Sequence, residues 1–194
     1  METITKTKQQ SALRLLAVLF FLCLFAPMAA GQDNWKDYLN GVNQIANTDG
    51  GDGSSWDNAI VIATAEELAY FAQQVNSNQS ITHKGGASIE PDKVKDCYFA
   101  LSSDINLSDH YWTPIGNRDH PFRGNFDGKG HCVKGLRVKV ETAVSKYAYA
   151  GLFGYASVGT LRNLGVVLAP EGVQAVPSTL ASAYAGGIAG RASN

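Results

Sequence analysis

Asp104, Asp109, Asp119 and Asp127 lie close along the chain to His110, His120 and His131. Paired carboxylates in such a stretch could serve a hydrolase or lyase, one as acid and one as base. Each residue also has a plainer role. Asp104 follows Ser102-Ser103 and suits a turn, and Asp127 stands before Gly128-Lys129 in another. Asp119-His120-Pro121 reads as a loop apex, and His131 as facing solvent or packed beside a turn. Turn chemistry accounts for these residues better than catalysis does, so no catalytic residue is assigned. Metal chemistry has less support still. The sequence has no His-Glu-x-x-His helix, and His110 and His120 are too far apart for a local motif. There is no Gly-x-Ser-x-Gly elbow, and no helix follows the glycines of Gly124-Asn125-Phe126-Asp127-Gly128 to bind a phosphate. No cofactor or metal is expected.

Binding is the other chemistry these residues could perform. Tyr111, Trp112, Phe122, Tyr147 and Tyr149 could include an aromatic platform for a sugar or a protein. Trp112 and Phe122 read as core. Tyr111, Tyr147 and the loop Arg118-Asp119-His120 are the candidate ligand contacts. The partner expected is a surface glycan or protein.

The elements that position these residues follow a start that reads as an export signal. Lys6, Lys8 and Arg14 precede the apolar run Leu15 to Phe25, and small residues follow at Ala29-Ala30-Gly31. Eleven apolar residues are too few for a spanning helix, which needs about 20. A cleaved signal peptide over 1–31, an exported or cell-surface location and no membrane span after processing are therefore expected. The whole chain has 16 Lys and Arg against 17 Asp and Glu; losing Lys6, Lys8, Arg14 and Glu2 leaves 13 against 16, a net charge of −3. Nucleic-acid binding has no electrostatic support at that charge. Cys97 and Cys132 remain, and in an exported protein a disulfide must be weighed. Cys97 shares strand parity with Phe99 and Leu101, whereas Cys132 precedes the inward Val133, so parity argues against a bridge.

Residues 32–55 read as a leader and a glycine-rich linker. Trp35, Tyr38, Leu39, Val42 and Ile45 suit a short amphipathic helix or an irregular segment. Thr48 to Ser55 reads as a flexible connector; Asp49 and Asp52 lack the acidic spacing of a calcium loop. Ala59 to Ile62 predicts a strand. Thr64-Ala65-Glu66-Glu67 is a capping box, and Leu68, Phe71, Ala72 and Val75 share one face of the helix it starts. From Cys97 onward the period becomes two. Short strands are expected at Tyr98–Leu101, Ile105–Leu107, Trp112–Gly116 and Phe122–Phe126, then through Val133, Leu136, Val138 and Val140, at Tyr149–Tyr155 and at Leu161–Leu168. Ala169 to Ser178 reads as a surface excursion.

One phrase occurs twice. Gly151-Leu152-Phe153-Gly154-Tyr155-Ala156-Ser157 returns as Gly187-Ile188-Ala189-Gly190-Arg191-Ala192-Ser193, the first directly after Tyr149-Ala150 and the second after Tyr184-Ala185-Gly186. Short glycine-punctuated strands at a fixed period predict stacked units that cannot bury a core singly. The fold class expected is mainly β: a parallel β-helix or solenoid over 56–194, with an N-terminal capping helix. Its repeat units are 149–166 and the start of a second at 184–194. The second copy reaches Asn194, so the expectation is a solenoid cut inside a repeat. Its open C-terminal rung then invites self-association.

The order Tyr98-Phe99-Ala100-Leu101, Trp112-Thr113-Pro114-Ile115-Gly116, Phe122-Arg123-Gly124-Asn125-Phe126-Asp127-Gly128, Gly151-Leu152-Phe153-Gly154 and Leu161-Arg162-Asn163-Leu164 resembles secreted bacterial proteins with GLUG motifs. The Ala65-Glu66-Glu67-Leu68-Ala69 helix is similar to the segment that precedes them. The resemblance covers Trp56 to Asn194 and departs at Ala189, which stands where Phe153 stood. It implies a cell-surface or secreted, adhesin-like parallel β-solenoid. Two functions stand side by side on these grounds: a non-catalytic, adhesin-like binding module, or the accessory region of a secreted peptidase or polysaccharide-degrading enzyme.

Overall fold

The computed structural model describes residues 33–142, 147–178 and 182–193. The signal-peptide reading of 1–31 lies outside the described residues. Residues 33–47 form an irregular segment with one 3-10 turn at Trp35–Asp37 rather than a longer helix. Asn40 and Gly41 take positive φ there, which ends any helix. The segment is pinned instead by Trp35, whose backbone N–H donates to the Tyr111 carbonyl at 2.9 Å and whose indole donates to the Leu107 carbonyl at 3.1 Å.

Residues 48–55 are not a free connector. The Gly51 N–H donates to Ala59 at 2.9 Å, and Gly53 accepts from Tyr98 N–H at 3.0 Å. A Cβ on Gly51 would run into the Asn58 backbone. Composition suggested flexibility, but these glycines permit a close backbone approach to strand β1 (Ile60–Ile62).

Helix α1 (Ala65–Asn76) starts as its capping box predicts. Thr64 Oγ1 accepts from Glu67 N–H at 3.2 Å, and Glu67 Oε2 accepts from Thr64 N–H at 3.3 Å. Glu67 is buried, yet its carboxylate also accepts from the N–H groups of Ala46 and Ala63. Leu68, Phe71, Ala72 and Val75 are buried. The Phe71 ring packs 4.7 Å from Phe99 and 5.7 Å from Phe122. A 3-10 turn at Pro91–Asp96 leads into the strands.

These are β2 (Tyr98–Leu101), β3 (Ile105–Asn106), β4 (Asn125–Asp127), β5 (Cys132–Glu141), β6 (Tyr147–Ala150), β7 (Phe153–Ser157), β8 (Leu161–Arg162), β9 (Gly165–Val176), β10 (Ser182–Ala185) and β11 (Ala189–Ser193). The chain is mainly β, and its named strands pair in parallel throughout. The sheets run β1-β2-β4-β8, β3-β5-β9, β6-β10 and β7-β11. Apolar residues meet in rows across these pairs. Ile60, Phe99, Phe126 and Leu161 form one row, and Ile105, Val133 and Val166 another. Such rows bury a common core although no strand is long enough to make one alone. The two similar phrases pair with each other: Tyr149 lies beside Tyr184, Phe153 beside Ala189 and Ala156 beside Ala192.

Two expectations shift. Trp112–Gly116 and Phe122–Gly124 meet β7 only through single bridges, Ile115 to Phe153 and Phe122 to Ala156. Pro114 has no N–H to donate, and Gly116 turns at φ 79°, so a regular ladder cannot form. The excursion after Leu168 is shorter than expected, because Val173 to Val176 return to pair with Val138 to Glu141. Leu164 is half-buried against the core, whereas Leu152 and Phe153 are fully buried. Cys97 and Cys132 are half-buried free thiols, and Cys132 Sγ sits against Gly165.

Candidate functional site

Helix α1 ends beside the loop that holds the candidate polar residues. The Asn76 side chain donates to the Pro114 carbonyl at 2.9 Å and accepts from Gly116 N–H at 2.8 Å. Asn117 then closes the loop. Its Oδ1 accepts from the N–H groups of Asp119 and His120, both at 2.9 Å, and its Nδ2 donates to the Asn76 carbonyl at 3.1 Å. This is an Asx turn, in which a short side chain replaces a backbone acceptor. Gly116 is required by its positive φ, and a Cβ there would strike the Tyr155 carbonyl and the Phe122 backbone. The loop is therefore held by Asn76, Gly116 and Asn117, while Arg118, Asp119 and His120 project from it.

Those three residues line an open groove of about 560 Å³ with Asn76, Thr113, Val140, Thr142, Tyr147 and Tyr149. The Arg118 guanidinium carbon stands 5.0 Å from the centroid of the Tyr147 ring, within cation–π range. Tyr147 and Tyr149 alternate on β6, and their rings are parallel within 4° at 5.9 Å. Tyr149 is buried and backs the half-exposed Tyr147. The groove therefore offers an aromatic surface, a cation, a carboxylate, an imidazole and an amide side by side.

Of the five candidate contacts, Arg118, Asp119, His120 and Tyr147 come together here. Tyr111 does not line this groove. It bridges to Asn34 and lies under Arg137, whose guanidinium carbon is 5.1 Å from its ring. Asn76 and Asn117 escaped the sequence reading. The signal was present in Asn117, an Asx-turn residue placed just before Arg118-Asp119-His120.

Of the aspartates first weighed for catalysis, Asp119 lies in this groove, and Asp104 and Asp127 are engaged elsewhere. Asp104 accepts from Lys134 at 2.6 Å and from Cys132 N–H at 2.8 Å, with His131 Nδ1 at 3.6 Å. The Lys134 ammonium chiefly holds the Asp104 carboxyl below the ordinary aspartate range. Asp127 is buried and accepts from Lys129 N–H, Arg162 Nε and Asn163 Nδ2. Burial alone would raise its pKa, but those donors and the Arg162 charge outweigh it, so the carboxyl is held low. The Arg162 guanidinium carbon in turn lies over Trp56, 3.6 Å from the ring centroid. Among the described residues no three His, Cys, Asp or Glu side chains gather as a metal would require, and no helix is long and apolar enough to cross a membrane.

Comparison with known families, with curated proteins and with solved structures finds no match in any of the three.

Proposed function

We propose that this chain is a non-catalytic, exported surface module of adhesin-like type, built as a parallel β-solenoid, that binds a saccharide in the groove beside Arg118 and Tyr147. The observation that carries the reading is the prebonded loop. Asn76, Gly116 and Asn117 satisfy its backbone, which leaves Arg118, Asp119 and His120 to meet a ligand at little cost in ordering. A sugar ring has an apolar C–H face and a rim of hydroxyls. Tyr147 suits the face, as aromatic rings do. Asp119 supplies acceptors, Arg118 supplies donors, and His120 supplies one of each when neutral.

The solenoid reading is supported by the parallel pairing of successive short strands and by the side-by-side placement of the two similar phrases. The motif order that resembles GLUG-motif proteins agrees with it. Export rests on the Lys6-to-Gly31 pattern, and N-terminal sequencing of exported protein should begin near Gly31 or Gln32. An intact Met1 on the exported form contradicts export by cleavage.

A saccharide microarray probed with the protein tests the binding role. Retention of a defined group of glycans is expected, with loss of signal in Arg118→Ala and Tyr147→Ala and unchanged melting of both variants. No retained glycan, or equal retention by both variants, refutes this function.

A further inference from the structure

We infer that the chain pairs with a second copy of itself, edge to edge through β9, about a two-fold axis between Pro170 and Glu171. This surface is separate from the groove. Three observations carry it.

The first is the state of the β9 edge. Leu136 of β5 is fully buried, but Leu168, which pairs with it, is 46% exposed. Val167 pairs with Lys134 and Val176 with Glu141, so apolar residues stand where the strand beneath has charges. They are 51% and 44% exposed. Edge strands that stay single are protected by charge, above all by lysine. β9 carries one charged residue, Glu171, and it is tied back to Arg137 of β5 at 3.2 Å. A two-fold interface sets each charge near its own copy, so an edge without free charge suits self-pairing in particular.

The second is the contrast with the other end of the sheets. The outer edge of β1 is already closed. Val61 N–H donates to Asn47 Oδ1 at 2.8 Å, and the Ala59 carbonyl accepts from Gly51 N–H at 2.9 Å. A head-to-tail stack of copies would need that edge free. With it closed, the sheet that begins at β1 cannot extend head to tail, whereas a two-fold contact, in which an edge meets its own copy, closes at two.

The third is the pattern within β9. Its residues paired with the inward row of β5 are Val166, Leu168, Val173 and Ala175, opposite Val133, Leu136, Val138 and Val140. An axis between Pro170 and Glu171 sets Val166 against Ala175 of the second copy, and Leu168 against its Val173. Inward residues meet inward residues on both arms. The irregular stretch between Leu168 and Val173 falls on the axis, where neither arm needs it for pairing. The strands run antiparallel across the seam, although the named strands within the chain pair in parallel.

Sedimentation of the whole protein, with cysteine trapping, tests this. A mass twice that of the chain is expected at high concentration. Under oxidation the double variant Val167→Cys/Gln174→Cys should form a covalent dimer that reduction reverses, because these positions face each other across the axis. Neighbouring antiparallel strands bring Cα atoms about 4.5–5.5 Å apart, within disulfide reach. Each single cysteine variant, and the unaltered protein with Cys97 and Cys132, should stay uncrosslinked. Leu168→Lys should lose the dimer and, at dilutions where the unaltered protein is monomeric, melt at the same temperature, since that side chain is already half in water. A monomer at every concentration, growth beyond two copies, crosslinking by the single variants equal to that of the double, or an undiminished dimer in Leu168→Lys would each overturn the inference.

Discussion

Asp127 shows how a turn residue acquires a second task. It closes the turn through Lys129 N–H, as its place before Gly128-Lys129 predicts, and it also anchors Arg162, which covers Trp56. Its carboxyl is held below the ordinary range, so the folded state stabilises the ionised form. That contribution is complete above the unfolded value of about 3.9 and is lost as pH falls through the lower folded value. Melting temperatures of the protein and of Asp127→Asn, followed with pH, should lie furthest apart near neutrality. They should converge in acid, and a constant difference would contradict the ion pair. Phe153 is the plainer case. It is fully buried, with Phe122 at 5.3 Å and Phe126 at 5.4 Å. Phe153→Ala should cost about 3–5 kcal/mol in denaturant unfolding. A loss below about 1 kcal/mol would place the residue outside the core.

At the scale of elements, helix α1 serves the core at one end and the groove at the other. Its start is local chemistry and was readable: Thr64→Ala removes one cap bond and should cost about 1 kcal/mol. Its end is not local. Asn76 reads only as a helix terminator, yet its side chain holds Pro114 and Gly116 far along the chain. Asn76→Ala should leave two partly buried backbone groups without that partner, costing about 1–3 kcal/mol. It should also weaken glycan binding without touching the ligand. Tighter binding in Asn76→Ala would show that the loop's order is no help to recognition. The strands divide the same way. β2, β5 and β7 follow from period-two patterning. Trp112–Gly116 shares that pattern, but Pro114 and Gly116 deny it a ladder, and it meets β7 through the bridge of Ile115 to Phe153. The glycines of 48–55 misled for a related reason, since composition cannot distinguish a free turn from one pressed against Asn58.

For the molecule as a whole, the legible part was the parallel order carried by two similar phrases and by rows of apolar residues. The groove was legible only in pieces. Arg118, Asp119, His120 and Tyr147 stood out by type, but their meeting depends on β6 passing beside a loop fixed by α1, and no spacing encodes that. Tyr111 looked equivalent by type and lies instead beside Asn34 and Arg137. This contrast supplies the sharpest test of the central claim, that one groove makes the chain a glycan-binding module. Amide resonances would be followed by NMR during titration with the saccharide best retained on the array. The account predicts saturable shifts concentrated at Gly116 to His120 and at Tyr147, with Tyr111 and Arg137 unmoved. Shifts concentrated at Tyr111 and Arg137, with the loop silent, would contradict it.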